Sequence, residues 1–277
     1  MYTFDNPPQL ETRESDFGRE YQLPNKVWVP SVTTFLDKVL ETPELDEWRE
    51  RIGQEEADRY TKLSARIGTM FHDNMEKYIK CVQAHKMKPN DTITLAEYER
   101  IENTKDIVLE LNELVRTNPV QYEMYIRTKK VIDTLSWSES NFVATELPVF
   151  SEKLGLAGRF DALHVNQHGE YSVIDFKSFK QKKTRKELVR YFIQGSIYAC
   201  LIRDTYGVFP KSVHIISPCM QEIHAQWEIT AVNDYLKPLN RLLTQFRRFQ
   251  FDHSLPQNFL DIRRLPTDTG WCNNIFA

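Results

Sequence analysis

Glycine is scarce in this 277-residue chain, at 9, and cysteine scarcer still, at 4. Few glycines and no repeated or biased tract argue against disorder and low complexity. The cysteines, Cys81, Cys200, Cys219 and Cys272, lie far apart with no C-x-x-C pair. That spacing predicts unpaired thiols in a reducing compartment and speaks against a zinc or iron–sulfur site. No apolar run approaches the roughly 18 residues that a membrane span requires. The opening MYTFDNPPQLETRESDFGRE is polar and acidic, unlike a signal peptide, so a soluble cytoplasmic protein is expected. A net charge of −3 gives no global field for nucleic acid or an anionic membrane, so any basic surface must be local.

What is present is apolar and aromatic: 41% hydrophobic residues, with 16 Phe, 12 Tyr and 5 Trp. That supply suits one large, packed, enzyme-sized domain. Residues 1–26 read as an N-terminal arm punctuated by NPPQ and LPN. Residues 27–135 read as a helical layer. VWVPSVTTFLDKV opens it, its serine and threonines able to cap a helix from about Thr33. PELDEWRERIGQEEADRYTKLSARIGTMFHDNMEKYIKCVQAH has helical apolar spacing, and TLAEYERIENTKDIVLELNELVRT predicts another helix. A core over residues 136–232 follows. NFVATELPVF, GRFDALHV and EYSVIDFKSF read as strands, the last two joined by the polar turn NQHG. TRKELVRYFIQGSIYACLIRDTYG reads as a helix with Gly207 as its C-cap. KSVHIISP and AQWEIT are further strands, and the C-terminal part, 233–277, begins with the helical VNDYLKPLNRLLTQFRRFQF. The order predicts an α/β core, a central mixed sheet flanked by helices, integrated with the preceding helical layer.

The chemistry concentrates in one hairpin. Asp175 and Lys177 are two apart on a strand and share a face. Asp161, near the end of the preceding strand, is expected to come beside Asp175. Two adjacent carboxylates repel and need a proton or a metal ion near neutral pH. A hard divalent cation with oxygen ligands fits that need. Lys177 would add fixed positive charge where a phosphate and an attacking water meet, an arrangement suited to phosphodiester hydrolysis. The bland alternative is a surface hairpin with ordinary charges. Against it, Asp175 follows the apolar YSVI, where an uncompensated charge is costly.

Other residues stay open on spacing alone. Gly68, His72 and Glu76 share one helix face, and a lone histidine there is usually a packed core residue. Gln194 and Tyr198, four apart, suit core polar residues satisfied internally. Glu146, in ATELPVF, is an acid one strand earlier that could orient a water or be structural.

The ensemble GRFDA, SVIDFKSF and YFIQGSIYA resembles the PD-(D/E)XK nuclease superfamily in its RecB-type exonuclease branch. Asp161 matches the first acidic position, and Asp175-Phe176-Lys177 the D-x-K signature. Gln194 and Tyr198 match the branch's Q-x-x-x-Y motif, and ARIGTMFHDNMEKY its G-x-x-x-H helix with His72 as the histidine. VPSVTTFL is similar to the lead-in of the mitochondrial genome maintenance exonuclease and its phage relatives. Phe160 stands where the proline of "PD" is absent. The resemblance implies the family's nuclease fold and a Mg²⁺- or Mn²⁺-dependent deoxyribonuclease, in a bacterial or phage-infected cytoplasm. It implies one or two ions, with His72, Asp161, Asp175 and the Phe176 backbone carbonyl as ligands. It implies catalytic roles for Asp161, Asp175 and Lys177. Gln194 and Tyr198 would hold a DNA phosphate and brace the lysine.

Seven Lys or Arg and one Glu fill the stretch KSFKQKKTRKELVR, from Lys177 to Arg190. It leads out of the proposed metal strand, so Lys180, Lys182, Lys183 and Arg185 are read as phosphate contacts with salt-sensitive binding. Arg247-Arg248 and Arg263-Arg264 are weaker candidates. Nothing resembles a base-reading helix. The expected partner is DNA, as single strands or ends, and no membrane; the helical layer is read as an arch for a threading strand. The rivals are a structure-selective endonuclease with the same site and a non-catalytic DNA-binding protein on a nuclease fold. Cluster-bearing CRISPR adaptation nucleases share the fold, but their cysteine triplet is absent here.

Overall fold

The structure, a computed structural model, describes residues 2–40, 43–84, 123, 126–128, 130–132, 134, 141–219 and 221–252. The segment read as an N-terminal arm carries two strands, β1 (Glu11–Ser15) and β2 (Gly18–Gln22), which join β3 (Trp28–Pro30) in an antiparallel meander. Ser31 caps helix α1 (Val32–Val39), its hydroxyl accepting the Thr34 N–H at 3.0 Å, as the threonine-rich lead-in predicts. The long helical pattern after Pro43 divides in two, α2 (Pro43–Ile52) and α3 (Gln54–Ala84). Gly53 separates them at φ +86°, a left-handed conformation that needs no Cβ. The helix expected over TLAEYERIENTKDIVLELNELVRT lies outside the described residues.

Five strands build the main sheet: β4 (Asn141–Ser151), β5 (Leu156–Val165), β6 (Tyr171–Phe176), β7 (Ser212–Ser217) and β8 (Gln226–Ala231). They lie in that order, all neighbours antiparallel except β6 and β7. The parallel pair is joined by helix α4 (Val189–Tyr206), capped by Gly207 in the left-handed conformation as expected. Helix α5 (Asn233–Asp252) follows β8. The architecture is the expected α/β core with a mixed central sheet.

Alternation along the strands sends apolar side chains to both faces. Phe160, Leu163, Val173, Val213 and Ile215 pack with α1, α4 and α5. Ala162, Ile174, Phe176 and Ile216 pack with Phe71, Met75 and Ile79 of α3, together with Val131 and Ile132. Gly195 lets α4 settle onto β7: a Cβ there would lie 2.3 Å from Val213 Cγ1. A sheet covered on both faces has few places for charge, and those it has cluster at one end of β5 and β6.

Candidate active site

The β5–β6 ladder runs from Val165↔Tyr171 to Ala162↔Ile174 and stops there. Continued pairing would set Asp161 opposite Asp175. Instead the Asp161 carboxylate takes the place of a strand carbonyl, its Oδ2 accepting the Phe176 N–H at 2.7 Å. The side chain thus satisfies a backbone donor that the ladder leaves behind. On the other side of β5, Thr145 Oγ1 donates to the Asp161 carbonyl at 2.7 Å.

Asp175 and Lys177 meet as their two-residue spacing predicts. Lys177 Nζ lies 2.7 Å from the Asp175 carboxylate and donates to Oδ1. Oδ2 is buried and lies at the same 2.7 Å from the ammonium, so both carboxylate oxygens face Lys177. The Tyr191 ring lies 5.1 Å from the ammonium. Burial opposes the charge on Lys177, yet Asp175 and Asp161 outweigh it and raise its pKa. Burial, reinforced by Asp161, pushes Asp175 up to about 6 despite the ammonium.

From α3, His72 reaches Asp161, Nδ1 standing 3.4 Å from Oδ1. Burial opposes protonation of the imidazole, but Asp161 overcomes it and raises the pKa. Asp161 moves the opposite way. Burial would raise it, while His72, Lys177 and the Phe176 N–H together lower it. Gly68, one turn before His72, faces Ser178 at ordinary contact distance. Glu76 pairs with Lys80, the surface reading of that residue.

Glu146 enters the site, a position on which the sequence was undecided. Its backbone stands at φ +52° in the middle of β4, between the ladder pairs Thr145↔Ala162 and Leu147↔Phe160. This irregularity brings its carboxylate to His72 and Asp161. One ligand atom from each of the three lies within 4.8 Å of the others. Burial and the Asp161 charge push Glu146 up to about 7. Arg159 Nη1 holds the Glu146 carbonyl at 2.8 Å.

The donor set fits a divalent cation. Two carboxylates and an imidazole converge, and the buried Asp175 carboxylate near them has Lys177 as its counter-charge. Glu146, raised by burial and then by the Asp161 charge, is short of positive charge, which a cation with oxygen and imidazole ligands supplies. Phe176 meets the site through its N–H, which Asp161 accepts, while its side chain is buried against Phe71.

The remaining sequence candidates separate. Gln194 and Tyr198 are buried, 9% and 6% exposed, on the α4 side of the sheet. Gln194 hydrogen bonds Tyr198, whose hydroxyl is raised by burial and by the charges of Asp161 and Asp175. Tyr198 stands close enough to the acid cluster to feel the Asp161 and Asp175 charges, and the pair is satisfied internally. Lys180 and Lys182 are exposed on the loop after β6. Lys183 is half-buried, 3.6 Å from Glu187, with its ammonium over the Phe179 ring. Arg185 is exposed and also reaches β8, donating to the Ile229 carbonyl and Thr230 Oγ1 at 3.1 Å each. Arg247 donates to the Lys153 carbonyl; the Arg263-Arg264 pair lies outside the described residues.

Two cations had no sequence signal at all. Arg127, buried in a helical stretch, donates to the Ser178 carbonyl at 3.0 Å, directly after Lys177. Lys130 donates to the carbonyls of Cys219 and Glu222, beyond β7.

The sheet order, the D-x-K strand and the convergent acids are features of one nuclease class. The sequence matches the PD-(D/E)XK nuclease superfamily over residues 37–250, and the chain belongs to that superfamily. Its members are metal-dependent nucleases, hydrolases acting on nucleic acid. No curated protein matches the chain. A solved structure titled "Crystal structure of SSO0001" aligns with 65% of this chain and 85% of its own, at 13% identity and a TM-score of 0.30. Among the described residues, no helix is long and apolar enough to cross a membrane.

Proposed function

We propose that the protein is a Mg²⁺- or Mn²⁺-dependent DNA exonuclease of the RecB-type branch, acting on single strands or ends. The observation that carries this reading is the convergence of His72, Glu146 and Asp161 beside the Asp175–Lys177 pair. His72, Glu146 and Asp161 would hold the ion, with the Asp175–Lys177 pair beside it. A bound ion supplies charge neutralisation at the scissile phosphate and makes a water more acidic. Asp175 fixes the Lys177 ammonium, and its raised pKa keeps it charged near neutrality. A charged ammonium is no base; its part is to stabilise negative charge on the phosphate. Phe176 N–H holds Asp161 in place, and Tyr198 closes the site from behind. Lys180 and Lys182 are the phosphate contacts we retain, with Lys183 and Arg185 shaping their loop. The helical layer, 27–135, belongs with the core in one nuclease unit and guides the strand.

Labelled DNA tests the reading. Wild-type protein with Mg²⁺ or Mn²⁺ should shorten linear strands and spare closed single-stranded circles, and Lys177→Ala should abolish cutting. Circles cut as fast as linear DNA would identify the endonuclease, and no cutting with either ion the non-catalytic binder. Sizing products from 5′- and 3′-labelled strands gives the polarity.

A further inference from the structure

The most exposed large apolar side chain among the described residues is Ile223, at 85%, against 52% for Val27. A single exposed aliphatic residue is ordinary on a protein surface. The setting of this one is not. Ile223 lies in the loop from β7 to β8, and β7 runs parallel to β6. Its loop therefore leaves the sheet at the same end as Asp175 and Lys177, where the Lys177 N–H bonds the Ile216 carbonyl at 2.9 Å.

The loop is also held in shape. Lys130 donates to the carbonyls of Cys219 and Glu222, the residue just before Ile223. Glu222 N–H closes a turn on the Cys219 carbonyl at 2.9 Å, and Cys219 itself stands at φ +43°. A left-handed non-glycine backbone persists only where surrounding contacts impose it. The contacts here hold an isoleucine out in water, the reverse of what hydrophobic burial alone would select.

The same loop is fastened to the lysine-rich one. Gln221 N–H donates to the Lys180 carbonyl at 3.2 Å. Gln226, at the start of β8, both accepts from the Lys183 N–H at 2.9 Å and donates to its carbonyl at 2.6 Å. The two loops form one ledge, with the exposed Lys180 and Lys182 on one part and Ile223 on the other. Cationic and apolar groups on one ledge complement a nucleic acid strand, whose phosphates are anionic and whose base faces are apolar.

We propose that Ile223 is a wedge that abuts the terminal base pair of a DNA end and unstacks it, passing one strand to the metal site. Proteins that open or kink DNA use aliphatic side chains between base steps in this way. The inference rests on the nuclease reading above and adds duplex ends to its substrates.

The test uses the full chain as wild type, Ile223→Ser and Ile223→Met, with Mn²⁺. Each is given a blunt duplex and, separately, one of its strands alone. A second readout is 2-aminopurine at the terminal pair, followed on binding with Ca²⁺ replacing Mn²⁺. Wild type should cut both substrates and raise the fluorescence. Ile223→Ser should lose roughly tenfold or more on the duplex, with under about twofold lost on the single strand, and should lose the fluorescence rise. Ile223→Met should keep both. An unchanged ratio, an equal loss on both substrates, or a wild type that cuts only single strands overturns the wedge and leaves the nuclease reading standing. A wild type that cuts neither substrate removes the nuclease reading, and the wedge falls with it.

Discussion

Glu146 faces Asp161 across the β4–β5 ladder with its own backbone in the left-handed region, at φ +52°. A long side chain held there costs about 1–2 kcal/mol, and both acids are half-buried together. Strain and repulsion meet at this one residue. Glu146→Asn, which tolerates this backbone and carries no charge, should raise the melting temperature in EDTA by a few degrees. The same change should lower cleavage about a hundredfold. Calorimetry and a cleavage assay on one preparation check both halves.

Lys177 and Asp175 are each other's compensation. Lys177→Met leaves the buried carboxylate without its ammonium, which costs about 3–5 kcal/mol. Adding Asp175→Asn should recover much of that stability and none of the activity. Urea denaturation of the two variants without metal reads the first effect, and DNA cleavage the second.

Metal binding must displace protons. Without an ion, Glu146 sits at about 7 and Asp175 at about 6, both above an ordinary carboxylate. Each is the ligand it needs to be only when ionised. Affinity for Mn²⁺ should therefore climb as pH rises from about 5.5 to 8 and level off above. Titration calorimetry in buffers of different ionisation enthalpy should show protons released at pH 6.5, and fewer at pH 8.

Arg127 steadies the backbone just past Lys177 through its bond to the Ser178 carbonyl. Arg127→Ala should reduce the single-turnover rate about tenfold while DNA affinity and its salt dependence stay unchanged, because no phosphate contact is lost. Arg127→Lys should restore part of the rate. A loss of affinity that tracks salt would instead make Arg127 a DNA contact.

His214 governs acid stability away from the site. The Trp227 indole N–H donates to its Nδ1 at 3.3 Å, and Ser212 Oγ lies 3.2 Å from Nε2. Burial, then the neighbouring His164, lowers its pKa to about 4. In the unfolded chain the imidazole titrates near 6.5. Between those values the unfolded state binds the extra proton, so stability is full above about pH 6.5. It falls by about 3 kcal/mol as pH drops toward 4. His214→Gln should flatten this acid limb, seen in urea midpoints at pH 7 and pH 4.5.

Much of this was legible in the sequence. Period-two alternation located the strands of the core, and Ser31 and Gly207 mark helix ends by ordinary capping chemistry. The Asp175–Lys177 contact follows from strand geometry alone. Glu146 could not be ranked, because its approach to Asp161 depends on a backbone irregularity that no residue type nearby announces. On spacing alone Gln194 and Tyr198 suit core polar residues, and the structure finds them buried and bonded to each other. Arg185, read as a phosphate contact, is exposed, but its bonds to β8, 44 and 45 positions away, carry no mark in the sequence. Arg127 and Lys130 act through carbonyls far along the chain, and a backbone acceptor leaves no trace in a sequence.

The absent side chain at Gly195 has a consequence for what stands behind the acids. With no Cβ between them, helix and strand are seated so closely that α4 has no room to slide or rock over Val213. The acid cluster is therefore backed by a fixed surface. A side chain added at position 195 would lift α4 from the strand, and Tyr198, which packs against Gly158 one turn further on, would leave with it.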